Sequence, residues 1–353
     1  MDELVGFWHA ISLANSKHFS VGKGHEKSDQ TQAREHVRQS MRVRNRGHIA
    51  VFALGAWLLL VGAVSPTPVD VRVWHDRVTR VQSITRQILA SNTDACPSKR
   101  NDFGYAAVTA NPDAPADVQA AWVNGLRLGE GPTVVAVYPG GPAQAAGLLI
   151  GDEIVIANGV QWLSSTEGRS AFAQAMAGGY ERGSLLLTVR RSGAEQTLPV
   201  AAQQICTADM VLTRSSRVNA WSNGSTIFIE GGLERLLSSD DELAWVIAHE
   251  AAHIFLGHTD ADRDAARREN TTRSVMEREA DRLSVRFMLK AGYAPEAAAT
   301  AQSRLAAASR GPISRLLDLH GPYMGTAERT SFLGTEAAAA RAEQTQIATP
   351  QPN

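Results

Sequence analysis

Cysteine is almost missing from this chain of 353 residues: Cys96 and Cys206 are the only two. A cysteine-rich zinc module is therefore excluded, and at most one disulfide can form, in an oxidising compartment. An excess of charge of one sign is missing too. With 35 basic side chains against 36 acidic ones, no long-range field gathers polyanions, so nucleic acid is not expected as a partner. Aromatic residues are sparse at 6%, yet 44% of the residues are apolar, enough to bury a sizeable core in two domains. Wholesale disorder and fibrous repeats are out.

Long hydrophobic runs are equally scarce. Residues 51–64 are the one long uncharged apolar run, and they fall short of the roughly 20 residues that a bilayer-spanning helix needs. Arg42, Arg44 and Arg46 precede the run, and the small residues Gly62, Ala63 and Ser65, followed by Pro66, close it. Residues 41–65 thus read as a signal peptide starting at Met41, or as an uncleaved anchor in which residues 49–64 hold the chain in the inner membrane. Residues 1–40 are polar and read as an extension or a mis-assigned start. In both cases the bulk of the chain is expected in the periplasm or cell envelope. Membrane contact is expected only if the segment is retained.

Residues 66–121 open with apolar residues at helical spacing, Val73, Val78, Val81, Ile84, Ile88 and Leu89, which predict one amphipathic helix over about 71–95. Short β-type runs follow, including Leu185 to Arg190 and Thr197 to Val200 joined by a hairpin turn at Arg191-Ser192-Gly193-Ala194. Past Cys206 the texture turns helical and alanine-rich. The polar residues 341–353 are expected to be a disordered tail.

Gly140-Gly141-Pro142-Ala143, Ala146-Gly147-Leu148, Gly151-Asp152-Glu153-Ile154 and Asn158-Gly159, followed by a helix at about Gly168 to Ala177, resemble a PDZ domain of the bacterial protease-associated kind. The resemblance covers about residues 122–202. It implies that an extended peptide, held by its C-terminus, adds to a sheet edge. The glycine-bounded stretch Gly125, Leu126, Arg127, Leu128 and Gly129 is expected to receive the terminal carboxylate.

Chemistry concentrates after Ser239. Ser239-Asp240-Asp241-Glu242 reads as a capping box opening a helix that runs to Gly257. That helix carries His249-Glu250-Ala251-Ala252-His253. Histidines at i and i+4 share a face, so His249 and His253 can converge on one zinc ion while Glu250 serves as general base. A tetrahedral ion needs a third protein ligand, and the next helix, about 273–290, supplies Glu277-Arg278-Glu279-Ala280-Asp281. Glu277 is the expected ligand, and Asp281 is expected to accept the outer N–H of a ligating histidine. The metzincin spacing is absent, His258 standing one residue out of step.

With Val218-Asn219-Ala220-Trp221, Gly231-Gly232-Leu233 and Asp241-Glu242-Leu243 these motifs resemble the HtpX-like and BepA-like zinc metallopeptidases, a gluzincin family. The resemblance covers about residues 209–290. It implies an α+β fold class: a mainly helical gluzincin metallopeptidase domain with a small β-sheet at 203–340, beside the β-rich PDZ-like domain. It further implies one Zn2+ per chain, an extended substrate lying along a strand edge near Thr226 to Glu230, and endopeptidase activity on envelope proteins. His320-Gly321-Pro322 with Glu328-Arg329 resembles the family's late His-Pro and arginine segment, which would give His320 an oxyanion role. The alternative class, a peptide-binding protein with a degenerate peptidase half, is opposed by the intact ligand set. Cys96 and Cys206 flank the PDZ-like segment and are expected either as a disulfide across its neck or as two buried thiols.

Overall fold

Thr67 starts the first ordered element through a reciprocal cap. Its hydroxyl accepts from the Asp70 backbone N–H at 3.2 Å and the Asp70 carboxylate accepts from the Thr67 N–H at 3.0 Å, with Pro68 preset for the first turn. The computed structural model describes residues 66–258, 270–309 and 325–348. The expected extension, signal or anchor at 1–65 lies outside the described residues, and so does His320. The capped helix, α1 (Pro68–Ser91), buries Val71, Trp74, Val78, Val81, Ile84 and Ile88, spaced three to four apart along one face.

From α1 the chain passes through β1 (Lys99–Asp102) into a β-rich unit. Its elements are β2 (Tyr105–Val108), α2 (Ala116–Leu126), β3 (Thr133–Val137), α3 (Pro142–Ala145), β4 (Glu153–Ala157), β5 (Val160–Gln161), α4 (Thr166–Arg182), β6 (Ser184–Arg191) and β7 (Ala194–Ala201). The sheet runs β2-β3-β4-β6-β7, with β5 beside β4. The expected hairpin is there: Ser192 and Gly193 take φ of 50° and 85°, and Arg191 pairs with Ala194. Phe103, Ile154, Phe172, Leu185 and Leu187 fill the core between sheet and α4. The sheet begins at Tyr105, ahead of residue 122, because β2 is reached through Gly104, whose φ of +78° and close approach to Gly141 and Pro142 exclude a side chain.

The chain leaves this unit where it entered. β8 (Gln203–Cys206) pairs antiparallel with β1, Lys99 opposite Cys206. Cys96 and Cys206 are joined in a disulfide, their Cα atoms 5.7 Å apart across a separation of 110 residues.

The remainder packs helices on a small sheet. β9 (Asp209–Thr213), β10 (Ala220–Ser222) and β11 (Thr226–Glu230) lie in the order β10-β11-β9, with β11 parallel to β9 and antiparallel to β10. Then come α5 (Gly231–Leu236), α6 (Asp240–Phe255), α7 (Asn270–Lys290), α8 (Ala297–Ser309) and α9 (Thr326–Ala348). One apolar core joins α1, the sheet and α6 to α9, with Val81, Ile88, Ile229, Leu243, Ile247 and Met288 at its centre. The fold is α+β.

Four expectations change. The stretch Thr226 to Glu230 is not an edge, since β11 is paired on both sides; β10 and β9 are the edges. Ser239 makes no side-chain cap, and the buried Glu242 meets Arg304 at 2.9 Å. Residues 341–348 are helix rather than disordered tail: Arg341 pairs with Glu296 at 2.9 Å and Glu343 with Arg286 at 2.8 Å. The described residues themselves offer no inner-membrane anchor: no helix among them is long and apolar enough to cross a membrane.

Candidate metal centre

α6 is apolar on nearly every face and buried from Glu242 to Ile254. Small residues let it sit in the middle of the domain: Ala248, Ala251 and Ala252 are fully enclosed. One helical turn separates His249 from His253, which brings their Nε2 atoms to 3.1 Å. α7 packs against α6 and delivers Glu277, with Oε2 3.4 Å from His249 Nε2 and Oε1 3.8 Å from His253 Nε2. These donor atoms all lie within 4.8 Å of one another.

The outer atoms of both imidazoles are held. His249 Nδ1 is 3.0 Å from Asp281 Oδ1, and Asp281 is fully buried. Arg329 of α9 grips the same carboxylate twice, Nε to Oδ2 and Nη2 to Oδ1, both at 2.7 Å, and its guanidinium lies 5.7 Å from the Trp245 ring centroid. His253 Nδ1 is 3.0 Å from His258 Nδ1, and His258 Nε2 is 3.5 Å from Glu279. In the neutral imidazoles, protons on His249 Nδ1, His253 Nδ1 and His258 Nε2 satisfy these contacts and leave both inner Nε2 atoms with a lone pair. Two lone pairs and a carboxylate aimed at one point repel unless a proton or a cation lies among them.

The donor set fits zinc. Ligands about 2.0–2.2 Å from a tetrahedral ion stand roughly 3.4 Å from each other, and the measured spacings are 3.1, 3.4 and 3.8 Å. The electrostatics agree. Burial alone would lower the His249 pKa, but the Asp281 and Glu277 carboxylates outweigh it and lift it to about 9. Burial would raise Glu277, yet His249, His253 and Arg329 hold it well below the carboxylate range. Asp281 is likewise depressed: His249 and Arg329 override its burial.

His249, His253, Glu277 and Asp281 are thus brought together as the sequence predicts, with Glu250 buried on the same helix as the two histidines. The stretch Gly125 to Gly129 is not: Gly125 and Leu126 end α2, Arg127 is its left-handed cap with φ of 54°, and the Gly125 carbonyl accepts from Arg72 of α1 at 3.3 Å. Closeness to Pro68 and Val71 accounts for that glycine. The roles of two residues go beyond the sequence reading. Arg329, which the sequence offers as the arginine of the late His-Pro and arginine segment, comes from a distant helix to hold Asp281. His258 has a local signal, the glycine before it. Gly257 takes φ of +71°, and the N–H groups of Gly257 and His258 bond to the carbonyls of Ile254 and His253 at 3.2 and 2.9 Å. This Schellman closure turns His258 back over His253.

Two histidines one turn apart, with carboxylates from a neighbouring helix, form a metallopeptidase-type site. Residues 189–266 match the model of Peptidase family M48, and residues 133–191 match that of the PDZ domain. The chain carries an M48 metallopeptidase region joined to a PDZ domain. Similar solved structures include an HtrA-type protease AlgW with decapeptide, at 24% identity and TM-score 0.22, covering 30% of this chain and 30% of that one. Another is the HtrA3 PDZ domain bound to a phage-derived ligand (FGRWV), at 24% identity and TM-score 0.22, covering 31% of this chain and 91% of that one. No curated protein matches the chain.

Proposed function

We propose that the chain is a zinc-dependent endopeptidase whose PDZ domain selects the polypeptides it cleaves. The observation that carries this is the convergence of His249, His253 and Glu277 donor atoms on one point between α6 and α7. A zinc ion held by these three supplies a Lewis acid that polarises a scissile carbonyl and acidifies water toward a pKa of about 7. Glu250, on the same helix as the histidines, takes the proton from the attacking water and hands it to the leaving amine. Asp281 and Arg329 keep the His249 ring oriented, and His258 does the same for His253. The exposed edge of β10, which packs beside α6, offers main-chain groups to an extended substrate, fixing the peptide plane. The Glu277–Asp281 pair supports the HtpX-like subtype.

The test is casein hydrolysis by the purified protein, with and without a chelator, beside the Glu250→Gln variant. Hydrolysis should stop on chelation and return with zinc. Glu250→Gln should bind zinc as the wild type does and lose at least about a hundredfold in rate, the usual share of a general base. A variant that still cleaves removes Glu250 from its role.

A further inference from the structure

Trp245 stands on α6 one turn before His249 and takes no part in the proposed hydrolysis. It is buried, and its ring centroid lies 6.0 Å from that of His249. Its indole Nε1 is enclosed and has no hydrogen-bond partner among the described residues. A buried donor left without an acceptor destabilises a fold, and a phenylalanine would fill much of the same space without that penalty. What the indole offers in return is the ring face that best holds a cation. That face is in use: the Arg329 guanidinium carbon lies over it, 5.7 Å from the ring centroid. Seated there, Arg329 has two carboxylates within reach. Its Nε and Nη2 bond Asp281 at 2.7 Å each, whereas Nη2 stays 3.7 Å from Glu277 Oε2, beyond a hydrogen bond. The two acids have different duties. Asp281 must be held so that it aims His249, while Glu277 must keep its oxygens for the ion.

We propose that Trp245 is a positioning residue of the metal centre, whose ring face keeps the Arg329 guanidinium on Asp281 and off Glu277. The inference rests on the reading of His249, His253 and Glu277 as zinc ligands, and adds what protects the third ligand from its nearest competing cation. Coulomb attraction has no preferred direction, so charge alone does not choose between two neighbouring carboxylates. The ring chooses, by fixing where the guanidinium lies. The line of contact then runs from Trp245 through Arg329 and Asp281 to His249 Nδ1, the last step being 3.0 Å. Trp245 itself touches neither ion nor substrate. Without the ring face, Arg329 is free to move toward Glu277. That shift would set a guanidinium against the ion for the same oxygens and loosen the hold of Asp281 on His249, and both effects lower zinc affinity. The orphan Nε1 is the cost of using an indole for its face in a place where its edge meets no acceptor.

The experiment measures the zinc affinity of the full chain by competition with a chromophoric chelator, so it needs no hydrolysis. Trp245→Leu keeps apolar bulk and removes the ring face, and should weaken zinc binding about tenfold. Trp245→Phe keeps a face and loses the orphan donor, and should stay within about threefold of the wild type. In an Arg329→Gln background the leucine substitution should alter affinity less than about twofold, because the two residues act as one unit. A side chain that only filled space would lower the urea midpoint of the metal-free leucine and phenylalanine variants and leave zinc affinity alone. Unaltered affinity in Trp245→Leu, equal losses in the two variants, or an undiminished effect beside Arg329→Gln overturns the proposal. If Trp245→Leu does not fold, Trp245→Met takes its place with the same expected loss. Zinc binding that is abolished by His249→Ala yet indifferent to Trp245 refutes the positioning role alone. A wild type that binds no zinc refutes the metal centre, and this role with it.

Discussion

His253 and His258 face each other through their Nδ1 atoms at 3.0 Å, and the contact is built by the way α6 ends. In a Schellman closure the residue after the glycine packs against the third residue from the helix end, a place often filled by an apolar pair. Here an imidazole occupies it and fixes the orientation of a proposed zinc ligand. His258→Ala should weaken zinc binding about 10- to 100-fold, the usual effect of losing an outer partner of a ligating histidine. Competition with a chromophoric chelator measures it, and a helical circular dichroism spectrum like the wild type's shows that α6 persists. Unaltered affinity would make His258 a mere cap.

Zinc must displace a proton from His249. Because Asp281 and Glu277 lift this group to about 9, it is protonated in the metal-free protein at neutral pH, while the ion needs the bare Nε2. Affinity should rise about tenfold per pH unit from about 7 toward 9, with one proton released per ion. Titration calorimetry in two buffers of different ionisation enthalpy counts the proton. The sign for stability is opposite. A raised pKa stabilises the metal-free fold fully below the unfolded value of about 6.5 and loses that contribution as pH rises through about 9.

The part of this site legible in the sequence is the part set by local geometry. Helical spacing alone placed His249 and His253 on one face, and Glu277 with Asp281 on another helix at the same i, i+4 interval, so two rods needed only to pack. The carboxylate-binding stretch at Gly125 to Gly129 failed because a glycine was read as loop punctuation when it serves a close helix approach to Pro68 and Val71. The edge at Thr226 to Glu230 failed because strand order is not local: β9, seventeen residues earlier by first residue, closes the second side of β11. Arg329 reaches Asp281 from a helix far along the chain, where periodicity carries no information.

Asp281 should dominate the acid limb of stability. It is fully buried between His249 and Arg329, and its pKa is depressed. A depressed carboxylate stabilises the fold above its unfolded value of about 3.9 and loses that contribution as pH falls toward the lower folded value. Removing one of its two partners with Arg329→Ala leaves the buried anion on His249 alone and should cost up to about 3–5 kcal/mol at pH 7. In urea unfolding of the metal-free protein, the gap between wild type and Arg329→Ala should narrow below about pH 4, where Asp281 takes up a proton in the variant first. A gap that stays constant from pH 7 to pH 3 would show that packing of Arg329 over Trp245, and not charge, is what the variant loses.

The disulfide acts on a different scale. Cys96 and Cys206 bracket the PDZ domain, and the bond closes a loop of 110 residues in sequence. In the chain-entropy picture a closure of that length stabilises by about 4 to 5 kcal/mol, chiefly by restricting the unfolded chain. The β1–β8 ladder holds the same neck by main-chain bonds, so the folded geometry should survive reduction. Cys96→Ser, altering the half-exposed partner and leaving the buried Cys206 sulfur in place, should lower the urea midpoint by an amount equal to reduction of the wild type. It should leave the slope against urea smaller in the oxidised protein, whose cross-linked unfolded state exposes less surface. If reduction instead releases the PDZ domain as a unit that melts separately, two transitions will appear in place of one, and the ladder is then too weak to hold the neck alone.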